Sequence, residues 1–110
     1  PIANAEVRRY FADAGYETVR DAALRAPSWT AIAQIPESRC REVLRDLDGP
    51  DVDAILQVGT NLSMVRLAAE AEQWLGKPVI AINTATYWHA LRANGIDDRM
   101  SGFGRLLSDF

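Results

Sequence analysis

Two short polar stretches of this 110-residue chain sit where chemistry is commonly found, Gly59-Thr60-Asn61 and Asn83-Thr84, each placed after an apolar run and before a helical pattern. In an open parallel sheet, ligands bind off the carboxyl ends of the strands, where loops lead into helix N-termini. At Val58-Gly59-Thr60-Asn61-Leu62-Ser63 a glycine lets the backbone approach a ligand. Amide N–H groups and the positive end of a helix dipole then point the same way, which suits an anion. Ile82-Asn83-Thr84-Ala85-Thr86 repeats the layout one strand later, with side chains that both donate and accept hydrogen bonds. Gly59, Thr60, Asn61, Asn83 and Thr84 are therefore the candidates for holding a carboxylate. The plainer alternative is that Asn83 or Thr84 caps a helix and that Gly-Thr-Asn is only a turn. Neither a G-x-G-x-x-G fingerprint nor a Walker loop is present, and Gly102-x-Gly104 precedes no strand-to-helix unit.

The other reactive side chains are poorly placed for catalysis. His89 stands alone within the last long helical pattern, where packing or surface roles are commoner than general-base work. Cys40 falls mid-helix between Arg39 and Arg41, away from any strand end, and reads as a buried bystander thiol. Trp29, Trp74, Tyr87 and Trp88 can line a pocket, but such spacing more often marks core. Glu70 and Glu72 read as solvated helix face.

These residues must be positioned by a recognisable series of elements. Apolar spacing predicts a helix over 3–14 stopped by Gly15, then a short strand at Tyr16–Arg20 from its alternation and β-branched content. Residues 22–36 read as a loop with a short helical turn, able to cover a cleft. A helix opens at Pro36-Glu37 and stops before Asp48-Gly49-Pro50. Asp53–Val58 is a nearly continuous apolar run, the pattern of a parallel strand covered on both faces. A helix from Leu62 to Leu75, stopped by Gly76, leads through Pro78 to a strand at Val79–Ile82, and a further helix runs from Asn83-Thr84 to Asn94-Gly95. The tail from 97 to 110 needs a neighbour to pack against. This order argues an α/β fold, a three-layer Rossmann-like parallel sheet, with residues 1–110 as a single lobe. A domain that opens on a helix lacks the strand that normally precedes it. With Pro1 in place of a methionine, the chain is expected to be a processed or excised piece.

Composition narrows the function. Apolar residues at 48% and charged residues at 25% exclude disorder and predict a packed core. Twelve Lys+Arg against fifteen Asp+Glu give a net charge of −3, which offers no positive field for nucleic acid. No apolar run approaches the roughly 20 residues of a membrane-spanning helix, so no membrane association is expected. One cysteine and one histidine preclude an internal disulfide and a zinc cluster, and they fit a reducing cytoplasm.

Longer motifs carry a family resemblance. Asp53–Leu62 (DAILQVGTNL), Leu75–Ile80 (LGKPVI) with Asn83, and Trp88–Ile96 (WHALRANGI) resemble the second half of the aspartate/glutamate racemase superfamily, within it the maleate isomerase and arylmalonate decarboxylase branch. The runs Gly59–Met64 and Asn83–Trp88 are most similar to the ectoine-utilisation proteins of that branch. The resemblance implies a pseudo-symmetric two-lobed protein with its site between the lobes, of which this chain is the C-terminal lobe and the N-terminal lobe is its partner. It also implies action on a small carboxylic acid without metal or pyridoxal cofactor. In the family a cysteine follows the strand matching Asp53–Val58, and here that position is Gly59. A glycine has no acid–base group, so a symmetric two-cysteine racemase is not expected.

Two readings follow. One is a cofactor-independent isomerase, racemase or decarboxylase whose proton donor lies in the other lobe. The other is a non-catalytic carboxylate-binding or regulatory protein on the same scaffold. A phosphoacceptor receiver domain is disfavoured because Val58 and Ile82, not aspartates, end the strands. Substrate, stereochemical course and oligomeric state, a homo-oligomer included, are left open by the sequence.

Overall fold

Short apolar runs separated by amphipathic helices produce the α/β arrangement that the sequence predicts. The computed structural model describes residues 2–110. In chain order these form α1 (Ile2–Asp13), α2 (Trp29–Ile32), α3 (Glu37–Leu47), β1 (Ile55–Gln57), α4 (Val65–Leu75), β2 (Val79–Ala81), α5 (Ile82–Ala93) and α6 (Arg105–Asp109). β1 and β2 pair in parallel, with Ile55 opposite Val79, Leu56 opposite Ile80 and Gln57 opposite Ala81, and α4 makes the crossover. Ile55, Val79 and Ala81 bury against Cys40 and Leu44 of α3, Leu67, Ala68 and Ala71 of α4, and the turn residues Leu62 and Met64.

Helix ends follow the glycines. α1 closes with Gly15 N–H donating to Ala12 O and Tyr16 N–H to Phe11 O, the paired bonds of a Schellman stop, and α5 repeats them with Gly95 to Arg92 O and Ile96 to Leu91 O. α4 begins three residues later than its periodicity suggests, because Leu62 and Met64 bury as a turn rather than as a helical turn. α5 starts directly at Ile82, with no intervening loop.

Three expectations need correction. Tyr16–Arg20 forms no strand: alternation specifies a face, whereas a strand also needs a paired neighbour. The segment is tied down by a side chain instead. Arg20 donates through Nε and Nη2 to Leu47 O at 3.1 Å each, and its two Nη groups meet Asp51 at 2.8 and 3.0 Å. Gly49 leaves room for this clamp, since a Cβ there would lie 2.6 Å from Arg20 Nη2. The sheet consequently has two strands among the described residues rather than three. Nor is β1 covered on both faces, because Leu56 is 45% and the following Val58 52% exposed.

The third correction is Glu72, which is not a solvated partner of Glu70 but lies 9% exposed on the inner face of α4. Its Oε2 accepts from Val79 N–H at 3.3 Å and its Oε1 from Arg105 N–H at 2.9 Å. One carboxylate thus joins the crossover helix to the start of β2 and to the first turn of α6. The tail finds its neighbour this way: Leu107 buries and Met100 N–H donates to Leu107 O at 2.9 Å. Glu70 stays outside, paired with Arg41 of α3 at 2.7 and 2.8 Å.

A second junction holds the entry to β1. Lys77 Nζ lies 2.6 Å from Asp48 Oδ1 and donates to Gly49 O and Val52 O at 3.0 and 2.9 Å, fixing the turn between α3 and β1 against the start of β2. Lysine 77 holds the Asp48 carboxyl below the ordinary carboxylate range, and Arg20 and Arg41 do the same for Asp51 and Glu70.

Two outcomes are expected. Glu72→Ala strands two backbone donors and is expected to lower stability by about 1–3 kcal/mol in urea denaturation, with Glu72→Gln, which keeps one acceptor oxygen, falling between. The depressed carboxyl values mean that the unfolded chain binds more protons in acid. The stability they contribute is therefore complete above about pH 5 and is lost as pH falls through about 4 and below. Melting temperature against pH should fall over that window, and Lys77→Met should flatten the fall; an equally steep fall in that variant would contradict the role of the Lys77–Asp48 pair.

Candidate carboxylate site

The loop that leaves β1 and the helix that leaves β2 meet at the carboxyl ends of the two strands. Gln57, the last residue of β1, makes the join: its Nε2 donates to Gly59 O at 2.7 Å, and its Oε1 accepts from Ile82 N–H, the first amide of α5, at 3.4 Å. One bond needs the donor end of the amide and the other the acceptor end, so the two together fix its orientation. Asn83 adds a second cross-link, donating through Nδ2 to Thr60 O at 3.1 Å. Asn61 adds a third, donating through Nδ2 to Trp29 O at 3.4 Å, which draws α2 against the loop.

Gly59, Thr60, Asn61 and Asn83 are therefore brought together. Thr84 is not presented with them, because it is buried in the first turn of α5. Neither Asn83 nor Thr84 caps that helix, whose N-cap is Ala81 with no side-chain bond. The side-chain amides expected to face a ligand are instead spent on backbone carbonyls. What stays available is backbone: among the described residues, the N–H groups of Gly59, Thr60 and Asn61 make no hydrogen bond to another protein group. These three successive amides precede α4, whose own N-cap Met64 gives no side-chain bond, and unbonded N–H groups ahead of a helix are in general where an anion is favoured.

Gly59 has φ +114°, a backbone conformation that side-chain-bearing residues avoid. That torsion turns the chain sharply out of β1, and it explains why glycine stands here. Residues 58–64 and 82–86 contain no titratable side chain, so the site supplies dipoles and no acid or base. Cys40 is buried in α3 and His89 is exposed on α5. No group of three or more His, Cys, Asp or Glu among the described residues can hold a metal ion.

Gln57 was not among the sequence candidates, although its signal is present: it is the one polar residue in Ala54–Val58, at the end of the strand where the loops converge. The aromatics are also placed differently from expectation. Trp29 is 80% exposed beside Asn61, Tyr87 is exposed, and Trp74 lies under Arg45 at the surface rather than in the core. A larger concavity of about 390 Å³ lies elsewhere, between residues 19–22 and α3. Its arginines Arg8, Arg20 and Arg39 are already paired with Asp21, Asp51 and Glu42.

Comparison with known proteins agrees with the fold. A family model described as arylmalonate decarboxylase matches residues 2–107. A crystal structure of arylmalonate decarboxylase is similar with a TM-score of 0.79 and 25% identity, over 94% of this chain and 47% of that one. The chain thus spans about half the length of that solved protein. No curated protein matches. No helix among the described residues is long and apolar enough to cross a membrane.

Space does not limit a side chain at position 59, where a Cβ would meet only Gln57 Nε2 at 4.0 Å; the torsion does. Gly59→Ala and Gly59→Cys are both expected to lose about 1–2 kcal/mol in urea denaturation. Stability unchanged from the unaltered chain in both variants would show that the loop shifts freely to a negative φ.

Proposed function

The chain belongs to the arylmalonate decarboxylase family, and from that premise we propose that it supplies the carboxylate cradle of a cofactor-independent isomerase, racemase or decarboxylase acting on a small carboxylic or amino acid. The observation that carries the reading is the run of free amides at Gly59, Thr60 and Asn61, fixed at the strand ends by Gln57 and Asn83. Its complement is a proton donor from the N-terminal lobe, in keeping with the two-lobed resemblance and with the absence of any acid or base in these loops.

The division of labour follows from charge. In a decarboxylation, the bond from the α-carbon to the departing carboxyl carbon breaks and CO2 leaves. The electron pair stays behind, delocalised from the α-carbon into the retained carboxylate. Amides of the cradle that donate to those oxygens would stabilise the growing charge. A proton from the other lobe then completes the α-carbon. Two-sided racemisation needs an acid–base group on each face of that carbon, and Gly59 provides none on this side. The finer likeness to the ectoine-utilisation proteins favours an amino acid or N-acetylamino acid as substrate, handled in a reducing cytoplasm.

The glycine also favours a second reading, in which the cradle binds a carboxylate for regulation without turnover. Proton NMR of the two-lobed protein in D2O, with a panel of 2-amino, 2-hydroxy and malonic acids, separates the two. Loss of CO2 or exchange of the α-proton is expected, whereas saturation-transfer binding with neither would establish the regulatory reading. Asn61→Leu should weaken carboxylate binding by releasing the Trp29 segment, at a stability loss below about 1 kcal/mol. Unchanged affinity with a large drop in melting temperature would make Asn61 a structural turn residue instead.

A further inference from the structure

Amides after a glycine hold a fixed direction only if something grips the peptide planes they belong to. Gly59, at φ +114°, tolerates either sign of φ, so the plane that follows it can rotate at little steric cost. A trans peptide is planar and sets its C=O and N–H on opposite sides of the C–N bond. Whatever holds the carbonyl of a plane therefore also aims the N–H of the next residue. Gly59 O shares a plane with Thr60 N–H, and Thr60 O shares the next with Asn61 N–H.

These two carbonyls are gripped by two different side chains. Gln57 Nε2 donates to Gly59 O at 2.7 Å, which turns Thr60 N–H away from Gln57. Asn83 Nδ2 donates to Thr60 O at 3.1 Å, which turns Asn61 N–H away from Asn83. Gln57 cannot reverse its own amide without losing a second bond, since its Oε1 accepts from Ile82 N–H at 3.4 Å. Its Nε2 is also the nearest atom, at 4.0 Å, to where a Cβ on Gly59 would sit, so it lies against the turn it holds. The preceding plane has no counterpart: among the described residues no side chain donates to Val58 O, and Gly59 N–H is aimed by nothing.

We propose that Gln57 and Asn83 are separate positioning residues for the cradle, each aiming one donor: Gln57 presents Thr60 N–H to the carboxylate and Asn83 presents Asn61 N–H. The proposal rests on the carboxylate-cradle reading above and deepens it. Two of the three amides carry the recognition, and either can be lost without the other because each has its own strut. Both side chains act through the backbone they hold, so neither has to touch the ligand.

Amide nitrogen–proton NMR spectra of the two-lobed protein, titrated with malonate, test the assignment residue by residue. An N–H that donates to a carboxylate moves downfield, so at saturation Thr60 and Asn61 are expected to move further downfield than Gly59. Gln57→Leu should abolish the Thr60 shift and spare that of Asn61, and Asn83→Leu should do the reverse. Each variant should bind malonate about tenfold more weakly, as loss of one charge-assisted bond implies. A merely structural role would not produce the crossed pattern, because a collapsed loop loses both shifts together. Both shifts lost, or both kept, in a folded variant would overturn the positioning roles, while malonate binding by the unaltered protein would leave the cradle standing. The unaltered protein keeps the test decisive even if a variant folds poorly. A Gly59 shift as large as the other two would overturn the assignment, and malonate that moves none of the three amides would remove the cradle and the proposal with it.

Discussion

One buried carboxylate organises this fold. Among the described residues Glu72 makes no ion pair with a basic side chain; its two oxygens are instead solvated by two backbone N–H groups, Val79 at the start of β2 and Arg105 at the start of α6. Removing a charge from water is costly unless hydrogen bonds replace its hydration. The two amides are therefore not optional decoration on a packed helix. Their positions are dictated by the carboxylate, and with them the register in which β2 lies beside β1 and the point at which the tail returns to the body. Gly104, the residue before α6, follows from the same contact, since a Cβ there would come within 3.2 Å of Glu72 Oε1.

The strand ends inherit their precision from this anchoring. With β2 held at Val79 by Glu72, and the turn into β1 held by Lys77 and Arg20, the carboxyl ends of both strands arrive together. Gln57 can then span them, and Asn83 can reach the loop beyond β1. A division of roles results: side chains that could meet a ligand serve as struts, and the backbone they hold is left to face outward. In the proposed cradle, donors fixed before anything binds would meet a carboxylate at little entropic cost.

Much of the architecture was legible in the sequence because it is encoded locally. Helical periodicity, the glycine stops at 15, 76 and 95, and the apolar runs at 55 and 79 each depend on neighbours a few residues away. What was not legible depends on distant partners. Tyr16–Arg20 alternates like a strand, yet its course is decided by Arg20 finding Leu47 and Asp51. Glu72 looks like surface beside Glu70, and only the arrival of Val79 and Arg105 makes its burial tolerable. The five site candidates show the same limit. Their convergence could be read from strand-end logic, but that Asn61 and Asn83 would spend their amides inward, and that Thr84 would be covered, depends on carbonyls contributed by other loops.

The torsion at Gly59 has a historical side. The resemblance carried by the sequence implies a cysteine at the matching position of the family, and glycine and cysteine codons differ by a single base. Sequence change alone would then be readily reversible. The backbone adds a second requirement: at φ +114° a returning thiol has room, its Cβ meeting only Gln57 Nε2 at 4.0 Å, but the torsion is one that side-chain-bearing residues avoid. A cysteine at this position would therefore have to arrive together with a change in the torsion of the turn.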